Sequence, residues 1–430
     1  MSVFETVRGM RDLLPEEAEK MRHVEAVARK LAQLYGYKEI ITPIVEFYDL
    51  LAAKSGEEIR HRMYAFKDLS GRKVALRPEF TASIARLVVA TLRNEPKPLK
   101  LFCTGSLYRY DEPQYGRYRE FWQTNFELIG SSYPEADAEI LLLTNDLMEK
   151  LNFRNYWFKV GHVGILRGIL NQEGVKAEQQ NMIMHSLDKK QWDNAITIAR
   201  ESNVSLDCIA TLKALFRLKG KDVSKTIEKT KKQVKNYSEA VEAVENLHEI
   251  LELTKQSGAK FEILVEAGFA RGLEYYTGMV FEPYTPEMEI ALGGGGRYDK
   301  LIELFGGEPT PAVGVAHGID RITLAMEKQK VSLELPEKKQ VMVIPVDKTL
   351  KAKTVQIALT LRQAGVLAEV EVMGRTVARA LQDADRRGFT HTILVGPKEL
   401  EEGKVVLRDM KERKQRAVRI ENLSNEIISE

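Results

Sequence analysis

The sequence predicts an α+β protein: an antiparallel sheet flanked by helices, a helical segment inserted into it, and a C-terminal α/β domain of βαβαβ type. Three observations predict it. Residues 1–150 mix helical and strand-like runs without the regular alternation of a doubly wound sheet. Residues 165–255 carry helical periodicity throughout, with few β-branched runs. Residues 341–430 alternate apolar strand runs with helices. At 430 residues the chain is too long for one ordinary domain. These shifts divide it into a core in two parts (1–165 and 256–328), a helical insertion (166–255), a linker (329–340) and a last domain (341–430).

In the core, Ala18, Met21, Val24, Val27, Ala28, Leu31 and Leu34 share one face of a helix over 16–35, with Pro15 near its start and Gly36 after its end. The β-rich run EIITPIVEF (39–47) is interrupted by Pro43, which puts it at a sheet edge or an interface. MYAFKD and KVALRP, joined by a Ser-Gly-Arg turn, read as a hairpin over 63–77. Residues 79–93 read as a helix, 99–110 and 120–130 as strands, and 135–151 as a strong helix. Within the helical segment, residues 219–237 carry seven lysines against Asp222 and Glu228, which fits a solvated face or an RNA-contacting one. Strand character returns over 260–293, and 315–327 reads as a helix whose start lies near Gly318. KQKVSLELPEKKQ (328–340), charged around Pro336, reads as the linker. Beyond it, VMVIPV, a helix to Ala364, VLAEVEV, a helix around 376–387 and HTILVG form βαβαβ; KVVLRDM and a final strand and helix complete a mixed sheet.

Hydrophobic residues make up 44% and charged residues 29%, the balance of a soluble globular chain. A net charge of +2 means that any basic surface is local. Cys103 and Cys208 give neither a disulfide framework nor zinc-ligand spacing. No apolar run approaches about 18 residues and no signal-peptide pattern is present, so a cytoplasmic protein without a membrane partner is expected. No GxxxxGK[ST] phosphate loop and no HExxH occurs, and the seven histidines lack metal-ligand spacing, so no metal ligands are assigned. Gly293–Gly296 run into Arg-Tyr-Asp and not into a dinucleotide-binding helix.

Five segments carry chemistry. RGLEYYTGMVFE (271–282) gathers Arg271, a carboxylate, Tyr275 and Tyr276, which fits a site for a small polar molecule or an ordinary strand edge. In LGGGGRYDKL (292–301) the glycines let the backbone approach a ligand, or form a tight turn, before Arg297 and Tyr298. LRPEFT (76–81) sets Arg77, Glu79 and Thr81 around a proline. It fits a strand-to-helix junction with Glu79 in the first helical turn, or a carboxylate and a hydroxyl that receive an ammonium group. LYRYDEPQYGRYREFWQTNFELIG (107–130) surrounds a turn with Arg109, Arg117 and Arg119, whose guanidinium groups suit phosphate better than lysine does. In PAVGVAHGIDRITLAME (311–327) Arg321 opposes the helix dipole unless an anion lies nearby, while His317 reads as a packed or surface residue.

RGLEYYTG followed by GGGRYD resembles the two histidine-specific signatures of the histidyl-tRNA synthetases. The segments 107–130 and 311–327 resemble motifs 2 and 3 of class II aminoacyl-tRNA synthetases, and Pro43 is similar to the motif 1 proline at the dimer interface of that family. The resemblance implies the class II antiparallel sheet, with ATP and Mg²⁺, L-histidine and a histidine tRNA as ligands, and a homodimer. It implies that Glu79, Thr81 and Gln123 hold the substrate's α-amino group. Glu127 and Tyr276 bond the imidazole, and Tyr275 and Tyr298 line its pocket. Arg109 and Arg271 become the catalytic pair on the α-phosphate and the substrate carboxylate. Asp111 faces the adenine amino group, Arg117 binds ATP, and Arg321 contacts its phosphate end or stacks on adenine. The loop from Gln114 to Arg119 meets the acceptor end of tRNA. Residues 341–430 meet the anticodon, with Arg375, Arg379, Arg386 and Arg387 facing phosphates or solvent.

Departures from the family pattern are Glu274 for Asp, Asp111 and Asp320 for Glu, and Phe80 for a small residue. A histidine-sensing regulatory paralogue of ATP phosphoribosyltransferase resembles the same core, but the complete arginine set and the C-terminal α/β domain argue against it. Glu127 and the paired tyrosines argue for an imidazole over the side chains of glycine, proline or threonine.

Overall fold

The computed structural model describes residues 4–53, 60–271, 275–331 and 339–429; Glu274 and the linker around Pro336 lie outside the described residues. The chain divides into two units at residue 332. The first contains β1 (Lys38–Glu39), β2 (Val45–Phe47), β3 (Ala65–Lys67), β4 (Lys73–Leu76), β5 (Leu99–Tyr108), β6 (Glu120–Ile129), β7 (Trp157–His162), β8 (Lys219–Gly220), β9 (Glu262–Glu266), β10 (Met279–Tyr284), β11 (Gly293–Arg297) and β12 (Ala312–Gly318). Nine of them form one sheet in the order β1-β5-β6-β12-β11-β10-β7-β9-β8, while β2-β4-β3 form a small second sheet. From β5 through β7 every neighbouring pair is antiparallel, and parallel pairing is confined to β1–β5 and β7–β9.

Because side chains alternate along a strand, the large sheet presents two different faces. On one, Phe102 of β5 packs against Phe126 of β6 with ring centroids 4.8 Å apart, and Tyr37 meets Phe126 edge-on at 5.5 Å. Helices Pro15–Leu34 and Pro134–Lys150 cover this face. Met21, Val24, Ala28 and Leu31 are buried there, while Leu34, at the helix end, is exposed. His317 is buried on the same side with Nε2 3.1 Å from the Thr144 hydroxyl, and burial brings its pKa down to about 3, so it stays neutral. It is a packed histidine, as its sequence context suggested.

Other boundaries shift. The helix expected over 79–93 begins at Thr81 and passes into a π-turn over Val88–Leu92, so Glu79 precedes the helix and its dipole does not account for the carboxylate. The helix after β12 runs Ile319–Lys328, and residues 315–318, expected within it, belong to the strand. The segment 165–255 is not helical throughout: Lys219–Gly220 pairs with β9 at the sheet edge. Its lysines are partly matched at short range, with Lys221 2.7 Å from Glu262, Lys231 2.5 Å from Glu245 and Lys232 2.6 Å from Glu228.

The second unit contains β13 (Gln340–Pro345), β14 (Leu367–Val370), β15 (His391–Val395), β16 (Lys404–Asp409) and β17 (Gln415–Arg419), ordered β14-β13-β15-β16-β17. The first three are parallel and the last two antiparallel additions. Val341 and Val343 join a core with Ile357 and Leu361 on one face, while Met342 and Ile344 meet Ala380, Ala384 and Phe389 on the other. Cover on both faces is why VMVIPV is continuously apolar.

Candidate active site

Gln123, Asn125 and Glu127, at every second position of β6, share one face of the sheet and line a cleft of about 1140 Å³. The register across the sheet puts Glu127 opposite Gly314, Gly314 opposite Gly296, and Gly296 opposite Val280. A Cβ on Gly314 would lie 1.8 Å from Glu127 Oε2, and one on Gly296 2.9 Å from the Tyr276 ring. Gly314 and Gly296 thus leave room for side chains of the site itself. The sequence had suggested that they admit a ligand to the backbone.

At one end of the cleft the groups are acidic and hydroxylic. Glu127 Oε1 accepts from the Thr81 hydroxyl at 2.9 Å and from Asn125 Nδ2 at 3.3 Å, and Oε2 accepts from the Tyr298 hydroxyl. Burial raises the Glu127 carboxyl to about 7, offset only in part by these three donors. Burial also raises Glu79, against the pull of Arg109. Tyr275 packs at 4.9 Å from Tyr276 and meets Tyr298 edge-on at 5.8 Å.

The other end is cationic. Arg109 follows β5 and anchors its Nε on Pro78 O at 2.9 Å; burial depresses its pKa, against the effect of Glu79 and Asp111. Arg271 Nε lies 3.4 Å from Glu282, and its buried Nη1 has no hydrogen-bond partner among the described residues. A Cβ on Gly294 would stand 1.8 Å from that Nη1. Arg321, in the first turn of Ile319–Lys328, donates from Nη1 to Ala291 O at 3.0 Å and from Nε to Gly116 O at 3.3 Å. Burial, with Arg117, Arg109 and Arg271 nearby, brings Arg321 down to about 10. Asp111 lies 3.8 Å from Arg117 and 3.2 Å from Arg62. Arg321, depressed in part by Arg117, Arg109 and Arg271, and Arg271, with its orphaned buried N–H, make this end suited to a polyanion.

The loop that carries Arg117 is held by the N-terminal segment. Gly9 O accepts from the Arg119 N–H at 2.8 Å, and Arg11 lies 3.5 Å over the Tyr118 ring while pairing with Asp320. Asp320 in turn accepts from the Trp122 N–H at 2.6 Å.

One sequence assignment changes, and two further arginines of the motifs prove structural. Arg119, expected to meet tRNA, is buried: its Nε donates to Asp111 O at 3.0 Å and its guanidinium lies 3.7 Å over Tyr110, so it braces the loop from beneath. Arg77 is structural, donating from Nη1 to Thr42 O at 2.7 Å and from Nε to Ser106 O at 3.2 Å. Arg297 is also structural, bound to the fully buried Asp137 and to Ser131 O at 2.9 Å. The cleft does gather Glu79, Thr81, Arg109, Asp111, Arg117, Gln123, Glu127, Arg271, Tyr275, Tyr276, Tyr298 and Arg321. Gln114 is exposed at the loop tip. Arg375 and Arg379 belong to the second unit, where Arg375 pairs with Glu371 at 3.2 Å and Asp383 at 3.4 Å, and Arg379 is exposed.

Sequence reasoning missed Asn125, Arg62 and Glu282, and the helix Ala177–Asp188, which brings Glu178, Asn181, Met182 and His185 to the cleft. Asn125 was signalled by its place midway between Gln123 and Glu127. Nothing in the sequence marked Arg62.

The histidyl-tRNA synthetase family model matches residues 9–322, and an anticodon binding domain model matches residues 340–430. The chain is 42% identical to a histidine–tRNA ligase of Methanocaldococcus jannaschii over 98% of this chain and 99% of that protein. With that of Sulfolobus acidocaldarius it shares 38% over 100% and 99%. Among solved structures, apo Staphylococcus aureus histidyl-tRNA synthetase superposes with a TM-score of 0.70 at 25% identity, covering 99% of this chain and 100% of the other. The Nostoc enzyme gives a TM-score of 0.81 at 22% identity, with 99% of each chain covered, a likeness of fold.

Proposed function

The chain belongs to the histidyl-tRNA synthetase family, and from that premise we propose how its cleft divides the work of a histidine–tRNA ligase. The ligase activates L-histidine with ATP and transfers it to the 3′ end of its tRNA. The regulatory-paralogue reading is not favoured, because the full-length relatives are ligases.

The acidic end takes histidine. Glu127 and Tyr276 hold the two imidazole nitrogens, and a wrong side chain there leaves buried polar groups unpaired. Glu79, Thr81 and Gln123 receive the α-ammonium group. In the empty cleft the Thr81 hydroxyl bonds Glu127, so this role has it turn its lone pairs to the ammonium group while it keeps donating. The arginine end takes ATP. Arg109 and Arg271 hold the α-phosphate and the histidine carboxylate, Arg117 and Arg321 hold the distal phosphates, and Asp111 faces the adenine amino group.

The carboxylate of histidine, already ionised near neutral pH, attacks the α-phosphorus in line and expels pyrophosphate. No general base is needed; positioning and neutralisation of charge by the arginines carry the step. The terminal adenosine hydroxyl of tRNA then attacks the carbonyl of the adenylate and releases AMP. Mg²⁺ would enter as the complex of ATP, whose phosphates and waters supply most of its oxygen ligands.

The observation that carries this division is that one cleft is lined both by Arg271, whose buried Nη1 has no hydrogen-bond partner among the described residues, and by the hydrogen-bonded Glu127. Histidine-dependent ATP–pyrophosphate exchange tests it, with glycine, proline and threonine as controls. Exchange with histidine alone is expected; histidine binding without exchange would move the chain to the sensor class.

We extend the reading to partners. Gln114, at the exposed loop tip, meets the acceptor end of the tRNA, while Arg375 and Arg379 meet the anticodon stem-loop. Arg379→Ala is expected to weaken tRNA charging and leave pyrophosphate exchange intact. Exposed Ile41, Ile44, Val45, Phe47 and Phe66, around and on the small sheet, support a homodimer, to be checked by sedimentation equilibrium. No helix among the described residues is long and apolar enough to cross a membrane, and two buried free thiols suit the reducing cytoplasm.

A further inference from the structure

Arg271 lies outside any helix or strand, so its backbone does little to aim a guanidinium that must meet reacting groups within a fraction of an ångström. Side chains must do it. Glu282, on β10, directs a carboxylate at Arg271 Nε from 3.4 Å. That carboxylate is itself fixed. Lys159, its register partner on β7, lies 3.0 Å from Oε2, and the Tyr284 hydroxyl, two residues along β10, donates to the same oxygen at 2.7 Å. Lys159 is held 3.9 Å over the Phe269 ring, and Tyr284 is stacked on Trp157 at 5.8 Å with the planes 13° apart. Oε2 is therefore occupied by two partners on packed strands, which leaves Oε1 for the arginine.

We propose that Glu282 is a positioning residue: Lys159 and Tyr284 lock its carboxylate, and the carboxylate holds Arg271 by Nε, which fixes the guanidinium against Gly294 in the wall of the cleft. The inference rests on the assignment of Arg271 to the adenylation step. Gly294 completes the mount, because any Cβ there would collide with the guanidinium. The charge count agrees with the geometry. Burial alone would raise the Glu282 carboxyl, yet Arg271 and Lys159 hold it below the ordinary range, so it is an anion whenever the enzyme works.

The test is a double-mutant cycle in ATP–pyrophosphate exchange with the full chain. Glu282→Gln keeps the side-chain volume and removes the charge. Its kcat is expected to fall about 10–100-fold, with the KM for histidine and for ATP little changed. In an Arg271→Ala background the same substitution is expected to cost nothing further, because there is no guanidinium left to aim. Equal losses in both backgrounds, or normal exchange by Glu282→Gln, would overturn the inference. Near-normal exchange by Arg271→Ala alone would instead sink the assignment of Arg271. Should Glu282→Gln fail to fold, as judged by its melting midpoint, Tyr284→Phe carries the test: it is expected to lower kcat less, and again only while Arg271 is present.

Discussion

The two ends of the cleft differ in how complete they are. At the histidine end, Glu127 accepts three hydrogen bonds from Thr81, Asn125 and Tyr298, and three tyrosine rings pack on one another. At the phosphate end, arginines face one another, one is depressed to about 10, and a buried N–H has no partner among the described residues. In the proposed division the first end selects, because rigid and satisfied groups penalise any ligand that cannot replace their bonds. In the same proposed division the second end reacts, because its unpaired donor is met only when charge arrives or develops.

Four experiments can break or sharpen that contrast. The largest effect belongs to Arg271→Ala, expected to slow exchange by about 10²–10³-fold, far more than it weakens histidine affinity read by equilibrium binding. An equal loss in histidine affinity would show that the ends are not separate.

Next comes pH. The Glu127 carboxyl titrates at about 7 in the folded chain against an ordinary value of 4.5, so between these the folded state keeps a proton that the unfolded chain has released. Stability from this group is full below about 4.5 and falls by about 3 kcal/mol as pH rises through 7. Thermal melts from pH 5 to 8 should flatten in Glu127→Gln relative to the parent. Asp137, raised by burial to about 6, acts in the same direction and remains in both proteins.

Gly314→Ala puts a methyl where Glu127 Oε2 sits and should cut kcat/KM for histidine about 10²-fold with little effect on the KM for ATP. A change confined to ATP would reverse the assignment of the ends. The smallest effect is on the apo protein: Arg321→Met relieves repulsion and desolvation, so the melting midpoint should hold or rise slightly while stabilisation by added ATP shrinks. A fall in the apo midpoint would mean that the cationic end is not strained.

Much of this was legible beforehand because β-strands write their faces with period two. Gln123 and Glu127 announced a shared face, and Asn125 between them could have been read the same way. Arg109 and Arg271 stood in dense, unusual runs. What stayed hidden depended on contacts between distant segments. Arg119 looks in sequence like its neighbour Arg117, but the hairpin folds it beneath Tyr110. Glu282 stood inside a quoted run, yet its part depends on Lys159 in another strand. The sequence expects the glycines of β11 to let the backbone approach a ligand; at Gly294 and Gly296 the side chains that come close are Arg271 and Tyr276, placed there by the chain's own return.

The clasp between Arg11 and Asp320 bears on the order in which the protein is made. The partners are 309 residues apart in the chain, and β12, which completes the sheet beside β6, also comes late. At about 5–20 residues per second, the nascent N-terminal segment waits on the order of 15–60 s for Asp320 to leave the ribosome. Until then the loop that carries Arg117 has neither its clasp nor the Arg321 side chain that donates to Gly116 O.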